Sequence, residues 1–284
     1  MKLAIVIDST CDLDAKELER LGVERVPLYV NFQGKTHKDW LDITPADIIA
    51  GVSQGADLPT TSQPSPQDFS DVYAKVVAAG ADQVLVICIT SELSGTYQSA
   101  TIAAESAGVP VQVFDSRAAS LGHGEMARAA AALRDRGDSL DAILEALATI
   151  RDTNFVLFTV GTMEYLQKGG RIGRASAMLG SLLNIKPILT LEDGKIAPLS
   201  RARGVKKAQQ EMVDRFKAYV EAAAGPVTAN LIHIQDQSAA EGLRSALAEA
   251  GVTYTLAGIH EIGAVVGSHV GPNTFGLYAH QDVL

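Results

Sequence analysis

The chain reads Val84-Leu-Val-Ile-Cys-Ile-Thr-Ser91, and Glu92-Leu-Ser-Gly-Thr-Tyr-Gln-Ser-Ala100 follows without a break. The first segment is apolar throughout, without polar alternation, which is typical of a parallel strand covered on both faces. The second segment predicts a turn and a helix, with Gly95 allowing close backbone approach to a ligand. Free N–H groups at such a helix start attract a carboxylate or phosphate. Ser94 and Thr96 can cap this helix, and the simpler alternative is that Ser94 is only an N-cap.

Composition limits the classes of protein that the chain can represent. With 284 residues and 47% hydrophobic content, it can form two domains or one large one. A net charge of −9 argues against general nucleic-acid binding. The two cysteines form no Cys-X-X-Cys pair, and the six histidines show no metal-binding spacing. We therefore expect neither a metal nor another cofactor.

The amino terminus, Met1-Lys-Leu-Ala-Ile-Val-Ile-Asp8, is too short and too soon charged for a signal peptide. Apolar segments elsewhere are shorter than a bilayer span requires. The sequence therefore predicts a cytoplasmic protein with no stable membrane insertion.

The first half of the chain alternates strand and helix patterns. Further strands are predicted at residues 3–7, 25–32 and 111–114, and helices at about 14–21, 67–79, 124–136 and 140–152. Residues 33–45 are predicted to be a loop. Prolines stiffen a second loop, residues 58–66, and exclude an interior strand there. A helix beginning at Ser65-Pro66 explains Ser65 but leaves Thr60, Thr61 and Ser62 unexplained.

Three predicted strands end at a hydroxyl residue, namely Ser9, Ser91 and Ser116. Ligands of open α/β sheets bind outside the carboxyl ends of the strands. The three serines, with the hydroxyl-rich loop, therefore predict a site for a small anion or polar head group at this rim. Polar residues are common at strand ends in any case, so the pattern also fits ordinary turns.

The second half has a different pattern, with a hairpin predicted at residues 185–199 around Asp193-Gly194. A helix at about 204–223, a strand at 229–235, a helix at 239–250 and strands at 253–259 and 276–280 follow. This order is typical of an α+β domain. We therefore predict an α/β domain with a mainly parallel sheet at residues 1–155 and an α+β domain with a mixed sheet at residues 156–284.

Two glycine-rich segments stand out in this half. Lys168-Gly-Gly-Arg-Ile-Gly-Arg174 lies in a basic region, since residues 160–215 hold ten Lys and Arg against five Asp and Glu. This region suits an anionic ligand or an acidic partner, or is simply a solvated basic face. Gly263, Gly267 and Gly271 are spaced to form one smooth helix face, with His269 near the end of that helix.

Five motifs occur in one order along the chain. They are Asp8-Ser-Thr, Thr61-Ser-Gln-Pro-Ser, Leu93-Ser-Gly-Thr-Tyr-Gln-Ser-Ala, Lys168-Gly-Gly-Arg-Ile and Ile262-Gly-Ala-Val-Val-Gly-Ser-His-Val-Gly-Pro. Together they resemble the DegV family over about residues 3–282. The resemblance implies a two-domain α/β protein that holds one long-chain fatty acid, such as palmitate, between its domains. It further implies the fatty-acid-binding subunit of bacterial fatty acid kinase, whose separate ATP-binding subunit phosphorylates the presented carboxylate.

The resemblance also implies residue roles. Thr61 and Ser94 hold the carboxylate, with His269 as a third partner. The candidates near the head group are Gly95, Thr96 and Ser62, and those for partner docking or phosphate contact are Arg171, Arg201 and Arg203. The isolated protein is then a lipid carrier with no catalysis of its own.

Two other classes of function remain open on the residues alone. A phosphate- or sugar-handling transferase could use the same rim. A serine hydrolase could use Ser94 with His269, but Gly-x-Ser-x-Gly is absent and no acid partner is identifiable.

Overall fold

The computed structural model describes residues 2–179 and 184–284. Its strands, in chain order, are β1 (Leu3–Asp8), β2 (Val23–Val26), β3 (Tyr29–Phe32), β4 (Lys35–Lys38), β5 (Thr60–Ser62), β6 (Gln83–Cys88), β7 (Val111–Asp115), β8 (Phe155–Thr159), β9 (Ile185–Glu192), β10 (Lys195–Arg203), β11 (Val227–Ile234), β12 (Thr255–Glu261) and β13 (Thr274–Gln281). Its α-helices are α1 (Ala15–Leu21), α2 (Pro45–Ser53), α3 (Pro66–Ala78), α4 (Thr96–Ala104), α5 (Leu121–Arg136), α6 (Leu140–Asp152), α7 (Glu164–Lys168), α8 (Val205–Ala222), α9 (Gln237–Glu249) and α10 (Ala264–Val270). Short 3-10 turns cover Ser9–Cys11 and Gly173–Met178.

These elements form two compact units. The first comprises Met1–Thr44, Pro59–Asp152 and Val283–Leu284, and the second comprises Pro45–Leu58 and Thr153–Asp282. The sequence places a single boundary near residue 155, close to the division at residue 152, whereas Pro45–Leu58 groups with the second unit. None of the helices within residues 2–179 and 184–284 has the length and apolar character needed to cross a membrane.

The main sheet of the first unit is parallel, in the order β2-β1-β6-β7. The apolar run predicted as its strand is β6, and residues Val84 to Cys88 are fully buried. One face packs on α3 and α4, and α5 contacts β1 and β6. This arrangement confirms the predicted parallel sheet flanked by helices, and coverage of both faces explains the uninterrupted apolar sequence.

The predicted strand at residues 25–32 is wrong in one respect, because it is divided in two. Pro27 has no N–H to donate to a ladder, so the chain leaves the main sheet after β2 and re-enters strand structure as β3. There it pairs with β4 and β5 in a second, antiparallel sheet of order β4-β3-β5. Consequently, the predicted loop at residues 33–45 contains β4, and the proline-stiffened loop contains β5 at the sheet edge.

The second unit is built on a mixed sheet of order β10-β9-β8-β13-β11-β12. Its β11–β12 pair is parallel and its other pairs are antiparallel. The predicted hairpin is confirmed, since Asp193 and Gly194 both have positive φ, as a two-residue type I′ turn requires. Helices α8 and α9 cover one face through a core that includes Phe216, Met212, Leu243, Leu231 and Leu277.

The prediction that three glycines share one helix face is wrong for two of them. Gly263 is the N-cap of α10, and Gly271 is its C-cap at φ 72°. Only Gly267 lies inside the helix, where a Cβ would come 3.4 Å from Ile234 Cδ1 and 3.8 Å from Pro45 Cβ. The small residue therefore lets α10 approach α2 and the end of β11 closely.

Candidate functional site

The turn between β6 and α4 carries the first candidate side chain, Ser94. Its N–H donates to Thr90 O at 3.3 Å, and its Oγ lies 2.8 Å from Thr96 Oγ1. The N-cap of α4 is Gly95, which forms no side-chain capping bond. The expectation that Ser94 or Thr96 caps this helix is therefore wrong. The half-buried Ser94 hydroxyl instead forms a pair with the fully buried hydroxyl of Thr96.

The second candidate, Thr61, lies on β5 and pairs with Val30 in β3. It is half-buried, whereas the neighbouring Ser62 is exposed. The hydroxyls of the proline-stiffened loop thus belong to an edge strand, a role that the sequence does not predict. This strand leads directly to α3, whose capping box joins Ser65 and Asp68. Asp68 also accepts a hydrogen bond from Tyr29 at the start of β3.

Gln63 joins these two segments of the first unit. Its Nε2 donates to Ser99 Oγ in α4 at 3.1 Å, and its side-chain amide occupies the space that a Cβ on residue 95 would fill. The structure therefore places Gln63, in the loop that carries Thr61, against Gly95, the residue after Ser94. Gln63 lies within the Thr61-Ser-Gln-Pro-Ser motif, but the sequence predicts no role for it.

The three strand-end serines do not supply the free rim of hydroxyls that the sequence predicts. Ser9 Oγ donates to Asp39 Oδ2 at 2.7 Å, and Ser91 Oγ donates to Asp115 Oδ2 at 2.6 Å. Ser116 Oγ bonds to the backbone of Ala118. All three hydroxyls therefore already have hydrogen-bond partners within the protein, local ones for Ser116 and distant ones for Ser9 and Ser91. The alternative that they are ordinary strand-end residues describes them better.

A buried polar cluster that sequence reasoning missed lies at the end of β1. Asp8 Oδ1 accepts bonds from the backbone N–H and the hydroxyl of Thr10 and lies 3.4 Å from His123 Nε2, while Oδ2 accepts from Ile89 N–H at 2.6 Å. Burial raises the pKa of Asp8, but the charge of His123 and these hydrogen bonds outweigh burial and lower it below its ordinary value. Its sequence signals are a charged residue that ends an apolar strand and the Asp8-Ser-Thr motif, neither of which predicts the contact with His123.

In the second unit, His269 of α10 lies beside the glycine-rich segment after α7. A Cβ on Gly169 would overlap the imidazole of His269, and Gly169 O accepts a hydrogen bond from Arg171 Nη1 at 2.9 Å. Burial, and then the positive charge of Arg171, lower the pKa of His269 to about 4. His269 is therefore a neutral imidazole at pH 7.

The remaining candidates from the basic region lie on β10. Arg201 and Arg203 are exposed, and because they are two residues apart on a strand, they project from the same face of the sheet. Arg201 Nη2 lies 3.5 Å from Ala177 O. Other cations of this region form ion pairs, namely Lys168 with Glu164, Arg174 with Glu192 and Arg215 with Glu211.

The described residues contain no group of three or more His, Cys, Asp or Glu that could hold a metal ion. The fold and the site define an α/β protein with a parallel-sheet unit, a mixed-sheet unit and a pair of hydroxyl side chains, Ser94 and Thr96, next to the contact of Gln63 with Gly95. A family model described as "Uncharacterised protein, DegV family" matches residues 2–282. The chain belongs to the DegV family.

Known relatives match nearly the whole chain. A DegV domain-containing protein from Deinococcus radiodurans is 39% identical over 277 residues, which cover 98% of each chain. A solved DegV family protein from Thermus thermophilus, described by its fatty acid binding, is 45% identical with a TM-score of 0.95 and covers 99% of this chain and 100% of its own. A stearic-acid-binding protein from Eubacterium ventriosum is 27% identical with a TM-score of 0.89, covering 99% and 98%.

Proposed function

We propose that this protein binds a long-chain fatty acid whose carboxylate accepts hydrogen bonds from Thr61 and Ser94. The observation that supports this proposal most directly is the placement of Gln63 against Gly95, which holds the two hydroxyl-bearing segments side by side. The description of similar proteins as fatty-acid-binding supports an acyl chain as the apolar part of the ligand.

The division of binding energy follows from the chemistry of the ligand. Burying about 15 methylenes contributes roughly 12 kcal/mol before the cost of lost freedom. A hydrogen bond from a hydroxyl to a carboxylate contributes about 1.5–3 kcal/mol. The acyl chain therefore supplies most of the affinity, and the two hydroxyls select a carboxylate and fix its position.

His269 is a further candidate for head-group binding on its own properties. At pH 7 it is a neutral imidazole, which carries one N–H donor and one acceptor. Its neutral state means that it would contribute a hydrogen bond to a carboxylate rather than an ion pair.

We also propose that the bound carboxylate is presented to a separate ATP-binding kinase subunit, which forms the acyl phosphate. Arg171, Arg201 and Arg203 are the candidate contacts for that partner or for the phosphate, because guanidinium groups bind phosphate oxygens in pairs of parallel hydrogen bonds. The exposure of Arg201 and Arg203 supports this role.

A carrier is favoured over a serine hydrolase by the surroundings of Ser94. A nucleophilic serine needs a base within hydrogen-bonding distance. The side-chain group that lies 2.8 Å from Ser94 Oγ is the hydroxyl of Thr96, which is not a base. We therefore propose that the protein alone performs no catalysis.

The test compares binding of hexadecanoate and hexadecanol to delipidated protein by calorimetry. Wild-type protein should prefer the acid, and Ser94→Ala and Thr61→Val should each weaken acid binding by roughly 10- to 100-fold with little change for the alcohol. Ser91→Ala, in the same turn but bonded to Asp115, is the matched control. Equal affinity of wild type for acid and alcohol would contradict the proposed carboxylate site.

A further inference from the structure

The cluster at the end of β1 binds residues that lead into both of the segments carrying the candidate head-group ligands. Asp8 and Ser9 are consecutive and fully buried, and both belong to the first unit. Asp8 binds the residue that follows β6, on the way to Ser94. Ser9 binds Leu28 and Asp39, which border the sheet that carries Thr61.

Asp8 fixes the start of the Ser94 turn. Its Oδ2 accepts the N–H of Ile89, the first residue after β6, at 2.6 Å. From there, Thr90 N–H donates to Ala118 O at 2.9 Å, and Thr90 O accepts the N–H groups of Leu93 and Ser94 at 3.1 and 3.3 Å. The position of the Ser94 backbone therefore follows from that of residues 89–90, which the buried carboxylate holds.

Ser9 fixes the base of the small antiparallel sheet. Its Oγ donates to Asp39 Oδ2 at 2.7 Å and accepts Leu28 N–H at 3.0 Å, while Leu28 O accepts Asp39 N–H at 3.0 Å. Leu28 directly precedes β3, the strand that pairs with β5. Ser9 thus holds the residue before β3 at the same turn as Asp8, and β3 in turn pairs with the strand that carries Thr61.

From this geometry we infer that Asp8 and Ser9 are positioning residues, which set the separation of Thr61 and Ser94 without touching the ligand. The inference rests on the proposed function, because it names what holds the carboxylate site in shape. A carboxylate needs both hydroxyls at hydrogen-bond distance from its oxygens. A small shift of either segment therefore weakens the binding of the fatty acid selectively. Binding of an uncharged chain tolerates such a shift.

The experiment measures affinities of Asp8→Asn and Ser9→Ala for hexadecanoate and hexadecanol. Each variant should lose acid affinity by ~10-fold, as expected when one charged hydrogen bond is misplaced, while alcohol affinity changes by less than ~2-fold. Ile143→Ala, which empties a buried position on α6, is the structural control. It should lower the melting temperature without changing the ratio of the two affinities.

Amide hydrogen exchange supplies a second measurement that separates the two residues. Asp8→Asn should speed exchange in residues 89–94, and Ser9→Ala should speed it in residues 28–32 and 60–62. Ser9→Ala removes only a hydroxyl group, so it keeps the test available if Asp8→Asn does not fold.

The outcomes distinguish this inference from the proposed function. If Ser94→Ala loses the preference for acid but Asp8→Asn and Ser9→Ala keep it, the positioning role is wrong and the carboxylate site stands. If wild type itself shows no preference for the acid, the site is wrong and the inference falls with it.

Discussion

Gly95 lies against Gln63 so closely that residue 95 has no room for a side chain unless the Gln63 amide moves. Gly95→Ala should therefore displace Gln63 and break its bond to Ser99, at a cost of about 1 kcal/mol, or roughly fivefold in fatty-acid affinity. Titration with hexadecanoate measures this loss. Gly225→Ala is the matched control, because a Cβ at residue 225 meets nothing within 4 Å. Equal affinities of the two variants would contradict a role of Gln63 in shaping the site.

The low pKa of His269 should make folding stability depend on pH. Its folded pKa of about 4 lies below its ordinary value of 6.5, so the unfolded chain binds more protons between these values. The contribution of His269 to the free energy of unfolding is fully present above pH 6.5. As the pH falls toward 4, the free energy of unfolding decreases by at most about 3 kcal/mol. Urea unfolding of wild type and His269→Gln from pH 4 to 7 measures it. A pH dependence that His269→Gln leaves unchanged would count against the assignment.

Arg171 should contribute to that low pKa through its charge. In Arg171→Gln the pKa of His269 should rise toward its ordinary value but not reach it, because burial is the larger cause. An NMR titration of the His269 ring protons gives both values directly. Arg203→Gln serves as the control. An unchanged pKa of His269 in Arg171→Gln would contradict an electrostatic effect of Arg171 on this imidazole.

Loss of exposed arginines should separate lipid binding from kinase function. The double variant Arg201→Ala, Arg203→Ala should reduce lipid-dependent ATP consumption by the added kinase subunit by about tenfold or more, because each substitution removes one phosphate contact. The affinity for hexadecanoate should change little. Arg244→Ala, which removes an exposed arginine paired with Glu241 on α9, is the control. Parallel loss of lipid binding and kinase activity in the double variant would mean that these arginines support the fold.

The hydroxyl partner of Ser94 predicts inertness toward esters. A serine-directed phosphonate should leave the protein unlabelled, and activated esters should not be turned over, because the Ser94 hydroxyl is paired with Thr96. Mass spectrometry after phosphonate treatment measures labelling. Stoichiometric label at Ser94 that disappears in Ser94→Ala would favour the hydrolase instead.

Much of the fold follows from the sequence because periodicity and turn residues report local structure well. The apolar run at β6 and the Asp193-Gly194 turn each identify their element correctly. The sequence does not predict the division at Pro27, because residues on both sides of it have strand-like character. Which sheet a strand joins depends on distant partners such as β5, and those pairings leave no periodic signal.

The candidate site is less readable from sequence. Ser94 resembles a helix cap, and only the backbone of Gly95 and the pairing with Thr96 show otherwise. The contact of Gln63 with Gly95 joins segments more than 30 positions apart, which no local pattern encodes. Only the family resemblance implies an acyl chain as the ligand, because no spacing of residues specifies a run of methylenes.

The edge position of β5 has a consequence for how the protein behaves at high concentration. A free strand edge can recruit another chain, and proline or lysine at an edge opposes such pairing. Pro59 and Pro64 flank β5, and Lys35 and Lys38 begin and end β4 at the opposite edge of the same sheet. The sheet that carries Thr61 is thus guarded on both sides against intermolecular strand addition, so crowding should leave this hydroxyl accessible to its ligand rather than buried in an aggregate.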